Sequence, residues 1–278
     1  DLHVRSRRQR QMCIRDSDYA GRYLMEISFR YDGSSKFDKS KRWGFFPSLS
    51  AGWRISEEPF MKKFNHILDN LKLRASWGRL GDDESVNGYQ YLEGYTYPHG
   101  SYILGRDVIR TLAPKGLPNK DITWYTSDIY NLGLDFDLWH GLLSGTLELF
   151  YRHRDGLLAT RAASLPTTFG AKLPQENLNS DSNQGFELQL SHHNKIGDLT
   201  YDVTGNFSFS RAKFDHVERN ASLNDNDNWR NNTNARNKNI WWGYKAIGQF
   251  QSEEEIANSP IQDCLLYTSD AADDSLRV

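Results

Sequence analysis

The sequence predicts an all-β fold: a partial, antiparallel transmembrane β-barrel with long extracellular loops. The clearest observation is the run at 200–210, where apolar residues or glycine alternate with small polar or acidic residues. Alternation of period two puts the two sets on opposite faces of a strand. A run of about 11 residues also has the length that a tilted strand needs to cross a bilayer. The pattern recurs along the chain, and its connections are short at one end and long at the other.

Composition alone would suggest an ordinary soluble domain, because the net charge is -2 and no long apolar run is present. A membrane helix would need about 18 or more apolar residues in a row, so none is predicted. A β-barrel escapes that test because half of each strand faces a polar lumen. The 14 Tyr, 14 Phe and 8 Trp fit aromatic girdles at the two membrane interfaces. The near-neutral charge argues against a nucleic-acid partner.

The first three strands are predicted at 22–32, 44–55 and 71–79, each with an apolar and a polar parity. Pro47 cannot donate to a β-ladder and therefore marks an end or an irregularity in the second strand. The apolar parity consists of Tyr23, Met25, Ile27, Phe29, Tyr31, Phe45, Leu49, Ala51, Trp53, Ile55, Leu71, Leu73, Ala75 and Trp77. The opposite parity consists of Arg22, Glu26, Ser28, Arg30, Asp32, Ser48, Ser50, Gly52, Arg54, Lys72, Arg74, Ser76 and Gly78.

Four further strands are predicted at 128–138, 142–153, 184–192 and 200–210. Their apolar parity consists of Tyr130, Leu132, Leu134, Phe136, Leu138, Leu143, Leu147, Leu149, Tyr151, Phe186, Leu188, Leu190, Tyr201, Val203, Phe207 and Phe209. The absence of charge from this parity is expected for a lipid-facing surface, where a charge at mid-bilayer costs about 2–4 kcal/mol. The opposite parity carries both signs in comparable number, which predicts cross-strand pairing along the inner wall.

The connections differ in length at the two ends of the predicted sheet. Short turns are predicted around 139–141 and 194–198, whereas 80–127, 154–183 and 211–262 are long and polar. Short turns on one side and long loops on the other are typical of an outer-membrane barrel. A soluble β-sandwich also alternates apolar and polar residues, but it predicts neither such long strands nor this asymmetry.

One connection on the short-turn side, 56–70, is unusually long. The spacing of Phe60, Phe64 and Ile67, followed by Leu68, predicts one or two helical turns packed beneath the barrel. The adjacent carboxylates Glu57 and Glu58 could suggest acid–base catalysis, but a solvated turn is the simpler interpretation.

The two ends of the chain differ from the rest in composition. Residues 1–17 and 263–278 show no alternation and resemble translated sequencing-adapter sequence, so we expect the fold to occupy 18–262. The two cysteines, Cys13 and Cys264, lie in these flanks. We therefore predict no disulfide and no cysteine-based metal site.

Several segments of 18–262 resemble the SusC/RagA family of TonB-dependent outer-membrane transporters. The first is Arg-Tyr-Asp-Gly-Ser-Ser-Lys-Phe at 30–37, followed by Arg-Trp-Gly-Phe-Phe-Pro-Ser-Leu-Ser-Ala-Gly-Trp-Arg-Ile at 42–55. Ser-Glu-Glu-Pro-Phe-Met at 56–61 continues this similarity. Further similar segments lie at 71–78, 183–188 and 243–252.

The resemblance implies a piece of a single-chain barrel of about 22 strands with a plug in its lumen. It further implies import of an oligosaccharide or a peptide across the outer membrane of a Gram-negative bacterium. The implied partners are a SusD-like surface lipoprotein as a lid, TonB as the energy source, and outer-membrane lipid. No enzymatic step and no cofactor are implied. The alternatives are a siderophore or vitamin receptor of the same class, and a surface glycan-binding β-sandwich without transport.

Sugar binding favours aromatic platforms beside hydrogen-bonding groups, because the faces of a pyranose are apolar and its edges polar. The long loops supply such side chains, and the candidate substrate-binding residues are Tyr89, Tyr91, Tyr95, Tyr97, Trp229, Trp241 and Trp242. The simpler alternative is that these rings pack the loops together or contact the lid. The acidic stretches 82–84 and 225–228 are rich in oxygen but lack EF-hand spacing, so no metal site is predicted.

Overall fold

The computed structural model describes residues 9–64, 66–161, 170, 173–222, 224–243, 248–249, 251–258 and 276–277. The chain divides into two compact units, Asp1–Lys238 and Asn239–Val278. Its strands are β1 (Gln9–Tyr19), β2 (Tyr23–Gly33), β3 (Trp43–Arg54), β4 (Leu68–Asp82), β5 (Tyr95–Thr96), β6 (Ser101–Leu104), β7 (Asp107–Arg110), β8 (Ala113–Pro114), β9 (Tyr125–Leu138), β10 (Leu143–Thr160), β11 (Gln175–Ile196), β12 (Leu199–His216), β13 (Gly248–Gln249) and β14 (Leu276–Arg277).

Helical structure in the described residues is limited to short segments. The α-helices are α1 (Asp225–Asn231) and α2 (Glu253–Ala257), and two 3-10 turns cover Ile55–Glu57 and Lys62–Phe64. No helix in the described part of the chain has both the length and the apolar character needed to cross a bilayer.

The first unit is built on one eight-stranded antiparallel sheet, in the order β1-β2-β3-β4-β9-β10-β11-β12. All seven predicted strands are confirmed, as β2, β3, β4 and β9 to β12. The last three are longer than predicted, at 18, 22 and 18 residues. Each strand of this sheet pairs with the strand of the sheet that comes before it in the chain, so β9 pairs with β4. The small strands β5 to β8 lie within the connection from β4 to β9. The sheet is therefore a continuous meander, the topology of a barrel wall.

The eighth strand, β1, was not predicted, so the expected count of seven was too low by one. It pairs with β2 over its whole length, from Gln9 opposite Gly33 to Tyr19 opposite Tyr23. The pairing gives the backbone N–H and C=O groups on this edge of β2 their hydrogen-bond partners, although the sequence of β1 does not alternate. Its register places Arg15 directly opposite Ile27, on the apolar face. Whether 1–17 and 263–278 are foreign to the protein stays a prediction.

The two faces of the sheet differ as the alternation predicts. On the outer face Ile27 is 46% exposed, Leu132 44% and Phe207 57%. The eight strands form a single layer, and none of the outer-face residues belongs to the buried core among the described residues. A continuous exposed surface of large apolar side chains is the one that a bilayer covers.

Aromatic side chains lie near both ends of the outer face. At the long-loop end, the rings of Tyr31 and Trp43 stack with centroids 5.0 Å apart and planes 2° apart. At the end with short turns, Tyr23 pairs with Trp53 across β2 and β3. Such rings mark the two interfaces of a membrane-spanning wall.

The turns at 20–22, 139–142 and 197–198 define the short-turn end of the sheet, as expected. The long connection at this end, 55–67, does contain helical turns, the two 3-10 turns. Its apolar side chains are not packed beneath the wall, however, since Phe60 is 59% and Phe64 52% exposed. The predicted packing is therefore wrong, and the contacts of Glu58 described below explain where the turn lies instead.

The buried core lies at the long-loop end, on the inner side of the wall. It consists of Phe37, Phe46, Val86, Ile122 and Trp124. The Phe46 ring is 5.4 Å from the Trp124 ring, measured between centroids. This core joins the 34–42 loop to both ends of the 83–124 loop, so it holds these loops over the end of the wall.

Two glycines make room for the Phe46 ring. A Cβ built on Gly81 would lie 2.0 Å from that ring, and one built on Gly44 would lie 2.4 Å from it. No ordinary contact is so short, so both positions must lack a side chain. The alternation gives no sign of this core, because Phe46 stands on the polar parity of β3.

A hairpin arm projects from the same loop. β6 pairs with β7 at its tip and β5 with β8 nearer its base. Apolar side chains of the arm are largely exposed, as for Ile103 at 73% and Val108 at 67%.

The first prediction concerns the two faces of β11. Leu188 lies on the outer face between Leu147 and Phe207, whereas Gln189 lies on the inner face between Thr146 and Asn206. We expect Leu188→Arg to cost about 2–4 kcal/mol, because it places a charge against hydrocarbon. Gln189→Arg should be tolerated. The folded fraction in lipid bilayers, measured by gel mobility without heating, separates the two, and equal tolerance would contradict the assignment of the faces.

The second prediction concerns the fit of Phe46 against Gly81. We expect Gly81→Ala to destabilise the folded chain by about 1–3 kcal/mol, because the new methyl group overpacks the core. Gly88→Ala is the matched control, since a Cβ there meets no atom within 4 Å. Urea unfolding in detergent micelles, followed by tryptophan fluorescence, measures both. A shift of the same size in the two variants would show that the Phe46 contact is not the cause.

Candidate functional site

The candidate site lies in the loops above the wall, and Asn177 of β11 fixes their base. Its side-chain amide donates to the backbone oxygens of Gly156, at 2.6 Å, and Thr123, at 3.0 Å. Its side-chain oxygen accepts from the Thr123 amide at 3.0 Å. The 83–124 loop is thereby tied to the ends of two wall strands, β10 and β11.

Tyr89 and Tyr91 form a pair of rings near this base, with centroids 6.3 Å apart and planes inclined by 52°. Tyr89 has a positive φ of 62° and its side chain is 44% exposed. An ordinary residue in this conformation is uncommon and is held there by its surroundings. The chain reversal at 89–92, closed by a hydrogen bond from the Leu92 amide to the Tyr89 oxygen at 3.1 Å, presents both rings on one short segment.

Amide groups lie on the same segment as the two rings. The Gln90 side chain donates to the side-chain oxygen of Gln175 at 3.0 Å, and the Asn119 side chain donates to the backbone oxygen of Gln175 at 2.7 Å. The Asn119 backbone amide donates to the backbone oxygen of Gln90 at 2.9 Å. Aromatic faces beside fixed amides can bind both the apolar face and the polar edge of a sugar ring, or a peptide backbone. These amides were not among the predicted site residues, because polar residues in a long loop show no periodicity.

The other predicted tyrosines lie on the hairpin arm. Tyr95 belongs to β5 and pairs with Pro114, and it is 70% exposed. Tyr97 follows β5 and is also largely exposed. No ring contact joins either of them to the Tyr89–Tyr91 pair in the described part of the loop.

The predicted tryptophans fall into two groups. Trp229 lies on α1, where the guanidinium of Arg236 stands 5.2 Å from its ring centroid. Trp241 and Trp242 belong to the second unit, and Trp241 is almost fully exposed. Among the candidates in the described part of the first unit, Tyr89 and Tyr91 are the pair whose rings are in contact.

The two acidic stretches have structural roles. Asp82 accepts a hydrogen bond from the Tyr125 hydroxyl at 2.6 Å, and the buried Asp83 accepts one from the Ser34 hydroxyl at 2.6 Å. In the second stretch, Asn224 caps α1 by accepting from the Asp227 amide at 2.8 Å. The described residues include no group of three or more His, Cys, Asp or Glu side chains placed to hold a metal ion.

On the inner face, Arg74 joins two acidic side chains. It donates to both carboxylate oxygens of Asp135, at 2.7 and 2.9 Å, and to Glu148 at 2.8 Å. Gly133 leaves space for the guanidinium, since a Cβ there would lie 3.0 Å from it. This is the cross-strand pairing predicted for the inner wall. Lys72 lies beside Arg74 in a concave inner pocket of about 680 Å³, so the pocket carries both signs of charge.

Glu58, on the turn at the short-turn end, is not solvated as predicted but buried. It accepts hydrogen bonds from the Tyr23 hydroxyl at 2.6 Å, the Trp53 indole nitrogen at 3.2 Å and Arg22 at 3.2 Å. The hydrogen bond from Tyr23 has the largest effect on the Glu58 carboxyl and the one from Trp53 the next largest, and both lower its pKa below the usual value. A carboxylate that is held ionised by three donors has a structural role and is not poised as a general acid.

Comparison with known proteins places this wall in a family. Residues 14–266 match the family model described as TonB dependent receptor-like, beta-barrel. The chain is 30% identical over 250 residues to the TonB-dependent receptor SusC of Bacteroides thetaiotaomicron, which covers 87% of this chain and 25% of that protein. It is 31% identical over 252 residues to the TonB-dependent receptor P39 of Formosa agariphila, covering 87% and 22%.

Solved structures have the same fold. The RagAB peptide importer in its closed-closed state aligns with a TM-score of 0.65 at 20% identity, covering 76% of this chain and 22% of that chain. The chain thus spans about a quarter of the length of the curated relatives that it matches. The family consists of outer-membrane receptors of Gram-negative bacteria and not of enzymes. This confirms the expected location in the outer membrane and the expectation that the protein is not an enzyme. This chain belongs to the TonB-dependent receptor β-barrel family and is of the SusC and RagA type.

Proposed function

We propose that this chain forms part of the wall of an outer-membrane importer that takes up an oligosaccharide or a peptide. The observation that carries the proposal is the single sheet with an apolar outer face, a charged inner face and long loops at one end. Such a wall separates lipid from a wet passage and presents its loops to whatever arrives from outside. The relatives that support it are TonB-dependent receptors such as SusC, and the RagAB peptide importer.

The proposed importer needs more strands than the eight of this sheet. Within the described residues, β1 has a partner strand on one side only, and the second edge of β12 is met only by a short bridge, Lys213 opposite Asn237, near its long-loop end. A bare edge cannot stand in hydrocarbon. We infer that further strands close the wall into a barrel and that a plug fills its lumen. TonB supplies the energy for passage, and a SusD-like lipoprotein covers the loops. Outer-membrane lipid surrounds the wall.

The substrate-binding part of the proposal rests on Tyr89 and Tyr91. Their rings share one segment with Gln90, and Asn119 and Gln175 hold that segment by hydrogen bonds. Rings and amides together suit a neutral oligosaccharide, whose rings stack while its hydroxyl groups reach the amides. The remaining candidates for substrate contact are Tyr95, Tyr97, Trp229, Trp241 and Trp242.

The proposed mechanism is binding followed by gated passage, without a covalent step. The inner wall pairs Arg74 with Asp135 and Glu148, and Lys72 lies in the same pocket, so both signs of charge lie together on the wall. An inner surface of mixed charge selects little by charge, which fits a neutral substrate. Selection then falls to the loops, where the rings lie.

The third prediction tests these rings in the complete receptor that contains this segment. We expect the double substitution Tyr89→Ala and Tyr91→Ala to weaken substrate binding by about tenfold, because each ring contact is worth about 0.5–1.5 kcal/mol. Titration calorimetry with a panel of neutral oligosaccharides and a panel of oligopeptides measures the effect and identifies the ligand class.

The matched control is Tyr102→Ala, which removes an exposed tyrosine from the hairpin arm. It should leave affinity unchanged while the receptor reaches the membrane in the same amount. Equal binding by the double variant and the control, for every ligand that binds, would refute the assignment of Tyr89 and Tyr91.

A further inference from the structure

The turn at 55–67 lies against the outer side of the wall. Glu58 accepts hydrogen bonds from two aromatic side chains, Tyr23 and Trp53. Both stand on the lipid-facing parity, on β2 and β3. These bonds draw the turn towards the lipid face at the short-turn end. A turn held beneath the lumen could not reach both of these polar groups.

Beyond Glu58 the turn exposes an apolar surface. Phe60, Phe64 and Ile67 are 59%, 52% and 38% exposed. The neighbouring turn adds Trp139, whose backbone amide donates to the Ile67 oxygen at 2.8 Å and whose side chain is 48% exposed. We call these four residues the rim patch. It lies at the short-turn end of the wall, where Glu58 of the same turn is bonded to Tyr23 and Trp53 of the outer face.

Two lysines accompany the rim patch. Lys62 and Lys63 stand between Phe60 and Phe64, and both are exposed. No ion pair joins either lysine to a described acidic residue. Of the acidic residues near them in sequence, Glu58 is bound to Arg22 and Asp69 contacts His140. Two exposed ammonium groups thus stand between the exposed rings, and the exposed carboxylate of Glu57 lies on the preceding 3-10 turn.

We propose that the rim patch together with Lys62 and Lys63 binds an anionic phospholipid at the inner-leaflet interface of the outer membrane. The rings enter the boundary between headgroups and acyl chains, as amphipathic interfacial segments do. The ammonium groups meet the phosphate, since basic residues at a membrane surface attract anionic lipids. The attachment of the turn to the lipid-facing side of the wall selects a lipid over a soluble ligand. The site goes beyond the proposed import function, and its test does not depend on any substrate.

The fourth prediction tests the charge. The complete receptor is reconstituted in nanodiscs of phosphatidylethanolamine with phosphatidylglycerol, and the lipids retained after detergent extraction are counted by native mass spectrometry. We expect Lys62→Gln with Lys63→Gln to reduce phosphatidylglycerol retention by about tenfold and to leave phosphatidylethanolamine unchanged. Lys39→Gln with Lys41→Gln is the matched control, because this pair is exposed on the 34–42 loop at the opposite end of the wall.

A second measurement tests the position of the rim patch. In receptors with Cys13→Ser and Cys264→Ser, an environment-sensitive dye is attached at Phe64→Cys or, as the control, at Lys39→Cys. We expect nitroxide-bearing lipids to quench the dye at position 64, and aqueous iodide to quench the dye at position 39.

Iodide quenching at both positions, together with unchanged phosphatidylglycerol retention in the lysine variant, would overturn the proposal and leave the rim patch to a periplasmic protein. Gel mobility without heating shows in every case whether the barrel has folded. Substrate titration of the same variants should give the wild-type affinity, so a failure of the lipid site can be told apart from a failure of the import function.

Discussion

The structure depends on one constraint: a backbone that crosses hydrocarbon must satisfy every N–H and C=O group within the sheet. The six inner strands of the eight-stranded meander meet it by pairing with a neighbour on both sides, whereas β1 and β12 are the outer strands of the sheet. Once the ladder is fixed, the side chains have no freedom to choose a face, because neighbours point to opposite sides. Phe207 therefore meets lipid while Asn206 faces the lumen, and the register places each beside residues of its own kind on β11.

This coupling between ladder and side chains explains how much of the fold the sequence could predict. The seven alternating strands were recognisable because a one-residue slip would put an apolar set such as Phe207 and Phe209 into the lumen. β1 was not recognised because its sequence lacks the alternation, and Arg15 stands opposite Ile27 on the apolar face. Phe46 was not recognised as a core residue for a different reason. A ring on the inner parity looks like a break in the pattern until the space above Gly44 and Gly81 is known.

The loops show the limit of sequence patterns more clearly than the wall does. Their aromatic residues were identified by type, but which of them come together depends on hydrogen bonds between distant segments. Asn177 reaches back to Thr123, and Asn119 reaches forward to Gln175. Single polar residues of this kind have no period and no local signal, so only the folded chain reveals that Tyr89 and Tyr91 share a segment with fixed amides. The wall follows from alternation, whereas the site follows from long-range contacts.

The same constraint accounts for the one connection that departs from the short turns. At the edge of the hydrocarbon, the Tyr23 hydroxyl and the Trp53 indole each carry a polar group on an otherwise apolar face, and each needs an acceptor. Glu58 supplies it, and Arg22 offsets its charge. Because Glu58 is bonded to side chains of the outer face, its turn lies there too, and Phe60 and Phe64 of this turn are exposed. The connection at 55–67 is longer than the other turns at this end, and it includes the segment that brings Glu58 to Tyr23 and Trp53 before the chain enters β4.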